Sequence, residues 1–253
     1  MHKIVGALRR AVKDYNMIEN GDHIVVGVSG GKDSVVLVKA LSEFQKYGAI
    51  DFTLSAVCID IGFEKAGYRQ KDKNEILALK EYIENLGVSY YEEPTNIAEI
   101  VFKDKKEKNP CSLCSKIRRG ALNTKCLELG AGKLALGHHS EDVLETFFLS
   151  FFYEGRLSTF QPYSFMDRTG ITLIRPFIYV KEGDIKGAVR RLNIPTVKNP
   201  CPIDKETKRQ NMKDFIKSIQ KDIPFAKERM ISAIISPDRY NLWDKCQPKN
   251  KED

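Results

Sequence analysis

Apolar residues recur along the chain in two rhythms that alternate. Ile4, Leu8, Val12, Tyr15 and Ile18 keep helical spacing, so residues 3–19 are predicted to form an amphipathic helix. His23 to Val28 is a short β-branched run and reads as a strand. Val35, Val36, Leu37, Ala40, Leu41 and Phe44 then put one apolar face on a helix over 33–47. Phe52 to Ile61 is a second strand, 72–86 a second helix ended by Gly87, and Val88 to Tyr91 a third strand. A polar loop over 103–110 leads to a helix over 113–129, a strand at Lys133 to Leu136 and an aromatic-rich helix over 140–153. Beyond about 180 the pattern is helical and basic, over 182–193, 206–220 and 225–235. Strands separated by long helices predict a parallel sheet covered on both faces, an α/β, Rossmann-like fold. The expected division is an N-terminal helix (1–20), a sheet domain (21–180) and a basic helical extension (181–253).

The 253 residues, 42% apolar and 30% charged, suffice for a large core and exclude collagen-like, coiled-coil and disordered classes. The greasiest stretch, Leu144 to Tyr153, is far shorter than the about 20 residues of a spanning helix. Met1 to Arg10 lacks the form of a signal peptide, which makes the cytoplasm the expected compartment and reduced thiols the expected state. Of the net charge of +7, the residues from Lys181 onward carry +6. A second basic cluster comprises Lys103, Lys105, Lys106, Lys108, Lys116, Arg118 and Arg119. Such confined surpluses suit a polyanion, nucleic acid being the commonest, or else a solvated surface.

Two strand-to-helix turns carry candidate chemistry. In Ser29-Gly30-Gly31-Lys32-Asp33-Ser34 the glycines let the backbone approach an anion, and the first helix amides favour phosphate. Lys32 adds charge, and Ser29 and Ser34 add hydroxyls. The spacing is not that of a Walker A loop. Gly137-His138-His139-Ser140-Glu141-Asp142 also follows a strand and opens a helix, with Ser140 the expected N-cap. Adjacent histidines do not face one another on a helix, which argues against a two-histidine metal site.

Among six cysteines, Cys58 lies in an apolar run, Cys126 in a helical pattern and Cys246 in a polar tail. Cys111 and Cys114 form a Cys-x-x-Cys pair, and Cys201 stands between prolines. The pair by itself fits a redox dithiol, half a zinc site or part of an iron–sulfur site. With Cys201 the thiol count is three, which leaves one coordination position open. Lys116, Arg118 and Arg119 are expected to help keep the thiols ionised.

At the first turn the sequence resembles the PP-loop, or adenine nucleotide α-hydrolase, superfamily, whose members adenylate a carbonyl oxygen and release pyrophosphate. Gly-His-His matches that superfamily's second nucleotide-lining motif. The segment Cys111-Ser112-Leu113-Cys114-Ser115-Lys116-Ile117-Arg118-Arg119-Gly120 is similar to that of the tRNA 2-thiocytidine synthetases. So is the order of landmarks through Ile174-Arg175-Pro176 to Asn199-Pro200-Cys201-Pro202, over about residues 20 to 240.

The resemblance implies a [4Fe–4S] cluster on Cys111, Cys114 and Cys201. It implies ATP with Mg²⁺ on Gly27, Ser29, Gly30, Gly31, Ser34, Asp60, Gly137, His138 and Asp142. Asp33 and Lys32 are its catalytic pair, Asp33 for metal or general-base work and Lys32 for charge stabilisation. It further implies a tRNA substrate, thiolated at a cytidine O2, and an outside sulfur donor, either a cysteine desulfurase or inorganic sulfide. A homodimer is one option for assembly. The rival readings are a 2-thiouridine-forming sulfurtransferase and a lysidine-synthetase-like ligase. Two departures stand out: Glu141 replaces a frequent Asp, and Ile203 and Asp204 occupy the place of a further cysteine.

Overall fold

In a computed structural model, which describes residues 1–69, 71–104, 110–203, 208–236 and 240, the alternating elements close into a six-stranded sheet. The strands are β1 (Asp22–Val28), β2 (Phe52–Asp60), β3 (Ser89–Pro94), β4 (Lys133–Ala135), β5 (Tyr163–Met166) and β6 (Ile171–Ile174), in spatial order β3-β2-β1-β4-β6-β5. The first four and β6 run parallel, as expected. Ile24, Val25 and Val26 of β1 are wholly buried, because helices cover both faces of a parallel sheet.

One face carries α1 (His2–Asp14), α2 (Lys32–Tyr47), α3 (Lys73–Asn85) and α7 (Glu182–Leu192) over a cluster that includes Leu8, Leu37, Leu41, Ile83 and Ile185. The other carries α5 (Pro110–Glu128), whose Leu122 and Cys126 pack on Val25, Val57 and Leu134. Helix α6 (Ser140–Glu154) follows β4, and α8 (Lys208–Asp222) and α9 (Ala226–Ile234) pack against it.

Four differences from the sequence reading have local causes. Helix α1 stops at Asp14, short of 19, because Asn16 takes a left-handed φ of 46°. Met17 and Ile18 are nonetheless buried. Between β3 and α5, a turn of helix α4 (Ile97–Glu99) passes into a π-helical turn (Ile100–Asp104), where the sequence reading assigned no element before a loop over 103–110. Helix α5 begins at Pro110 rather than 113, since proline has no N–H to lose in a first turn. Finally, β5 and β6 form an antiparallel hairpin around Gly170, adding one antiparallel edge to the expected parallel sheet. No helix among the described residues is long and apolar enough to cross a membrane.

The chain leaves β1 towards β2 on one side, while β4 flanks β1 on the other. This is the switch point at which open α/β sheets form a crevice beyond the strand ends.

Candidate active site

The crevice is built from two turns that touch through their backbones. After Val28 the chain turns through Ser29 and Gly30 into α2. Gly30 takes φ of 88°, and a Cβ there would lie 2.9 Å from that of Val197. The Gly30 carbonyl accepts a hydrogen bond from the Val197 N–H at 2.9 Å. Ser29 Oγ accepts from the Gly31 N–H at 3.2 Å, and Ser34 Oγ donates to the Gly31 carbonyl at 2.9 Å. Both hydroxyls therefore help shape the loop. From β4, Gly137 abuts the start of α2: a Cβ there would meet the Asp33 carbonyl carbon and oxygen at 3.0 Å. The two strand ends expected to meet over one ligand are thus in direct contact.

Between them lies a cavity of about 400 Å³. Gly27, Val28, Ser29, Gly31, Asp33 and Ser34 form one wall, and Gly137, His138 and Asp142 another. Val57, Ile59, Ile61 and Phe63 supply an apolar side, Leu122 and Arg118 reach in from α5, and Val197 and Asn199 close the rim. A hollow that joins an apolar side to converging polar groups has the makeup of a small-molecule site.

Three expected residues sit elsewhere. Gly30 shapes the loop from outside the wall. Asp60 turns its Oδ1 to the Gly62 N–H at 3.1 Å, while its carbonyl accepts from Thr95 Oγ1 at 2.7 Å, so it stabilises the bend after β2. Lys32 points at carboxylates, with Nζ 2.9 Å from Asp33 Oδ2 and 3.1 Å from Glu182 Oε1. Burial alone would lower its pKa, but these two anions outweigh burial and raise it. Glu182 also holds Lys186 and Lys213, each at 2.9 Å, and these cations depress its own pKa despite desolvation.

The histidines differ sharply. Desolvation, followed by the charges of Arg175 and Arg209 against an opposing Asp142, pushes His138 down to about 4. Arg175 Nε donates to His138 Nδ1 at 3.2 Å, which fixes the neutral tautomer with the proton on Nε2. Arg175 is itself buried and pushed down to about 10, first by burial and then by Arg119. His139 is buried within 3.7 Å of Asp33, 3.4 Å of Glu141 and 3.5 Å of Asp142. Desolvation works against its charge, yet the three carboxylates prevail and raise its pKa. Asp33 Oδ1 is buried without a hydrogen-bond partner. A carboxylate oxygen in that state, on the wall of a hollow of this size, suits a metal cation.

His139, rather than Ser140, takes the N-cap position of α6, and Asp142 Oδ2 accepts its N–H at 2.9 Å. Ser140 is drawn away because its N–H and Oγ both face the Val180 carbonyl, at 3.0 and 2.9 Å. Glu141 uses its extra methylene to accept from the Glu182 N–H at 2.9 Å and to approach Lys227 at 3.5 Å, which ties α6 to α7 and α9. His139, then the Glu182 N–H and the Ser140 hydroxyl, overcome desolvation and lower its pKa to about 2.

The cysteines stand at the cavity's edge. Cys111 and Cys114 share the first turn of α5 at a spacing of three, which places them on one face. Cys111 is exposed and Cys114 half-buried. Cys201 lies two residues beyond Asn199, whose Oδ1 accepts the Cys201 N–H at 3.2 Å. Burial raises the Cys114 pKa, Arg118 lowers it, and the charges of Cys201 and Cys111 raise it further. The three sulfurs therefore share one electrostatic neighbourhood.

Of the three bases expected to ionise the thiols, Arg118 is the one that acts on Cys114, and burial exceeds it. Lys116 and Arg119 are exposed. Among the described residues no three His, Cys, Asp or Glu side chains are grouped to hold one ion. Ligands of a multi-iron cluster, each on a different iron, stand wider apart than that. Cys58 and Cys126 are buried. Lys105, Lys106, Lys108, Asp204 and Cys246 lie outside the described residues.

Sequence reasoning had passed over His139 and Glu182 as charged partners, Lys71 on the cavity wall, and the strap at Val197 and Asn199. A Cys-x-x-Cys four residues before Arg118 was the available signal for a joint wall.

A PP-loop domain family model matches residues 2–218. The chain is 36% identical over 241 residues to the tRNA-cytidine(32) 2-sulfurtransferase of Pelobacter propionicus, covering 94% of this chain and 87% of that one. It is 38% identical over 256 residues to that of Serratia proteamaculans, covering 96% and 80%. Among solved structures it is similar to a U34-tRNA thiolase from Methanococcus maripaludis with its [4Fe–4S] cluster. That likeness has a TM-score of 0.71 and 25% identity, and it covers 90% of this chain and 76% of the thiolase.

Proposed function

Because the chain belongs to the PP-loop family and, within it, to the tRNA-cytidine(32) 2-sulfurtransferases, we propose that it thiolates a cytidine of tRNA at the expense of ATP. ATP occupies the 400 Å³ cavity, and the cytidine O2 attacks its α-phosphate with release of pyrophosphate. Sulfur then replaces the adenylated oxygen, and AMP leaves.

The observation that carries this reading is the shared wall. Arg118 and Asn199 line the cavity, four residues from Cys114 and two from Cys201. Activation and sulfur delivery can thus meet at a single base. Cys111, Cys114 and Cys201 are the ligands we assign to a [4Fe–4S] cluster, the third supplied by the extension after 180. Burial first, then the neighbouring Cys201 and Cys111, raises the Cys114 pKa, and a bound metal would offset both by holding the thiolates. Held by three thiolates, such a cluster supplies one iron open to an outside sulfur atom.

Asp33, whose buried Oδ1 accepts no hydrogen bond, is assigned to Mg²⁺ on the phosphates. The amides of Gly31 to Ser34 receive the anion at the start of α2. Neutral His138, its Nδ1 held by Arg175, presents its Nε2 proton as a donor. Positioning and charge stabilisation carry most of the rate. The sulfur comes from a cysteine desulfurase or from sulfide, and the reaction belongs in the cytoplasm, where tRNA is at hand. A lysidine-forming ligase would have no use for three cysteines at the edge of this cavity.

The products test the reading. Incubation with ATP, a sulfur source and tRNA should yield AMP and pyrophosphate. Release of ADP and phosphate instead would overturn it.

A further inference from the structure

Among the described residues two cationic side chains line the cavity, Arg118 and Lys71. Arg118 lies beside Cys114, whereas Lys71 has so far no part. It occupies the segment between β2 and α3, and its Nζ donates to the Cys58 sulfur at 3.7 Å. A thiol is a weak acceptor, and among the described residues no carboxylate pairs with this ammonium. Lys32 is in the opposite condition, fixed by Asp33 and Glu182.

The place where Lys71 rests is informative. Cys58 pairs in register with Val28, the last residue before the loop, and neighbouring strands stand about 4.8 Å apart. Val57 and Ile59 pack in the cluster beneath α5, so by strand alternation Cys58 faces the side of α2. Val28 packs on that same side. The ammonium therefore rests on the α2 side of the sheet, one strand over from the end of β1, while the side chain borders the cavity.

We propose that Lys71 is a phosphate-binding residue of the nucleotide site. It rests on the Cys58 thiol without nucleotide and moves onto the polyphosphate when ATP enters. The proposal rests on the reading that the cavity takes ATP. Its physical basis is the exchange of a weak sulfur acceptor for a phosphate oxygen in a charge-assisted bond. In this way the site gains the cation that its own loop lysine, held by Glu182, does not present.

Calorimetric titration with a non-hydrolysable ATP analogue and Mg²⁺, and separately with adenosine, tests it. Lys71→Met should weaken the triphosphate at least about tenfold and shift adenosine by no more than about twofold, the loss of one charge-assisted contact. Lys71→Arg should recover most of that affinity. Lys73→Met, at an exposed position two residues on, should match the wild type. Unaltered triphosphate affinity in Lys71→Met overturns the proposal and leaves the ATP reading standing. So does an equal loss for both ligands, which would mark a collapsed wall rather than a lost phosphate contact. Wild-type protein that takes up neither ligand removes the ATP reading itself, and the proposal with it.

Discussion

The phosphate turn and the cysteine corner border the same cavity but are held by different forces. At the turn, backbone meets backbone: Gly30 presses on Val197, Gly137 presses on Asp33, and both serine hydroxyls bond within the loop. At the corner, Cys111 is exposed, and burial, followed by the proximity of Cys201 and Cys111, raises the Cys114 pKa. One half is shaped by steric fit within the chain. The other is three thiols on two separate segments, which a metal would draw together as thiolates. Nucleotide binding should therefore be insensitive to the thiols, while iron should be insensitive to the loop.

The largest effect expected is at the corner. Cys111→Ala, Cys114→Ala or Cys201→Ala should abolish both sulfur transfer and the content of about four irons per chain expected after anaerobic purification. Each should still bind ATP, as Cys58→Ala and Cys126→Ala should with iron intact. Stoichiometric zinc without iron would dissolve the contrast between the two regions.

Gly137→Val breaks the other half. Its Cβ would stand 3.0 Å from the Asp33 backbone, which cannot yield as a side chain would. It should cost about 1–3 kcal/mol of stability and nearly all ATP binding, with iron still reconstituted. Retained ATP affinity would show that the turns need not touch.

How far these regions could be read in advance also differs. The turn was legible because glycines, a β-branched strand and a helix start are local signals, as were the helices of the sheet domain. Four-residue strands such as Tyr163–Met166 offer too short an alternation to recognise, so the hairpin escaped notice. The pairing of Lys32 with Glu182 spans 150 positions, and sequence suggested a phosphate contact instead. Asp60 ended a strand where an ATP contact was expected, yet its oxygens serve the next bend. The cysteines were legible as a set of three by resemblance. The partial burial of Cys114, which decides the sign of its shift, was not.

A medium effect concerns how the turn is braced. Glu141, lowered to about 2, favours the folded state at any pH above its unfolded value near 4.5, and that contribution fades as pH falls through 2. Glu141→Gln should cost roughly 2–3 kcal/mol at pH 7 and progressively less in acid. Urea unfolding at pH 7 and pH 3 measures it, and an equal cost at both would assign the loss to packing rather than charge.

The smallest effect lies outside the cavity. Lys116 and Arg119 are exposed on α5 beside the cysteine pair. Reversing both charges should weaken tRNA binding severalfold and lower the salt slope by about 2, with ATP affinity unchanged. Lys105 and Lys106, in the same basic cluster, should behave alike. An unaltered slope would move the tRNA surface elsewhere.

The central claim joins the two regions in one reaction at one base. Mass spectrometry of nucleosides from tRNA treated anaerobically with cluster-loaded protein, ATP and sulfide tests it most directly. The account predicts 2-thiocytidine, formed only with ATP present and lost with Cys201→Ala. Unmodified cytidine, or 2-thiouridine in its place, would contradict it.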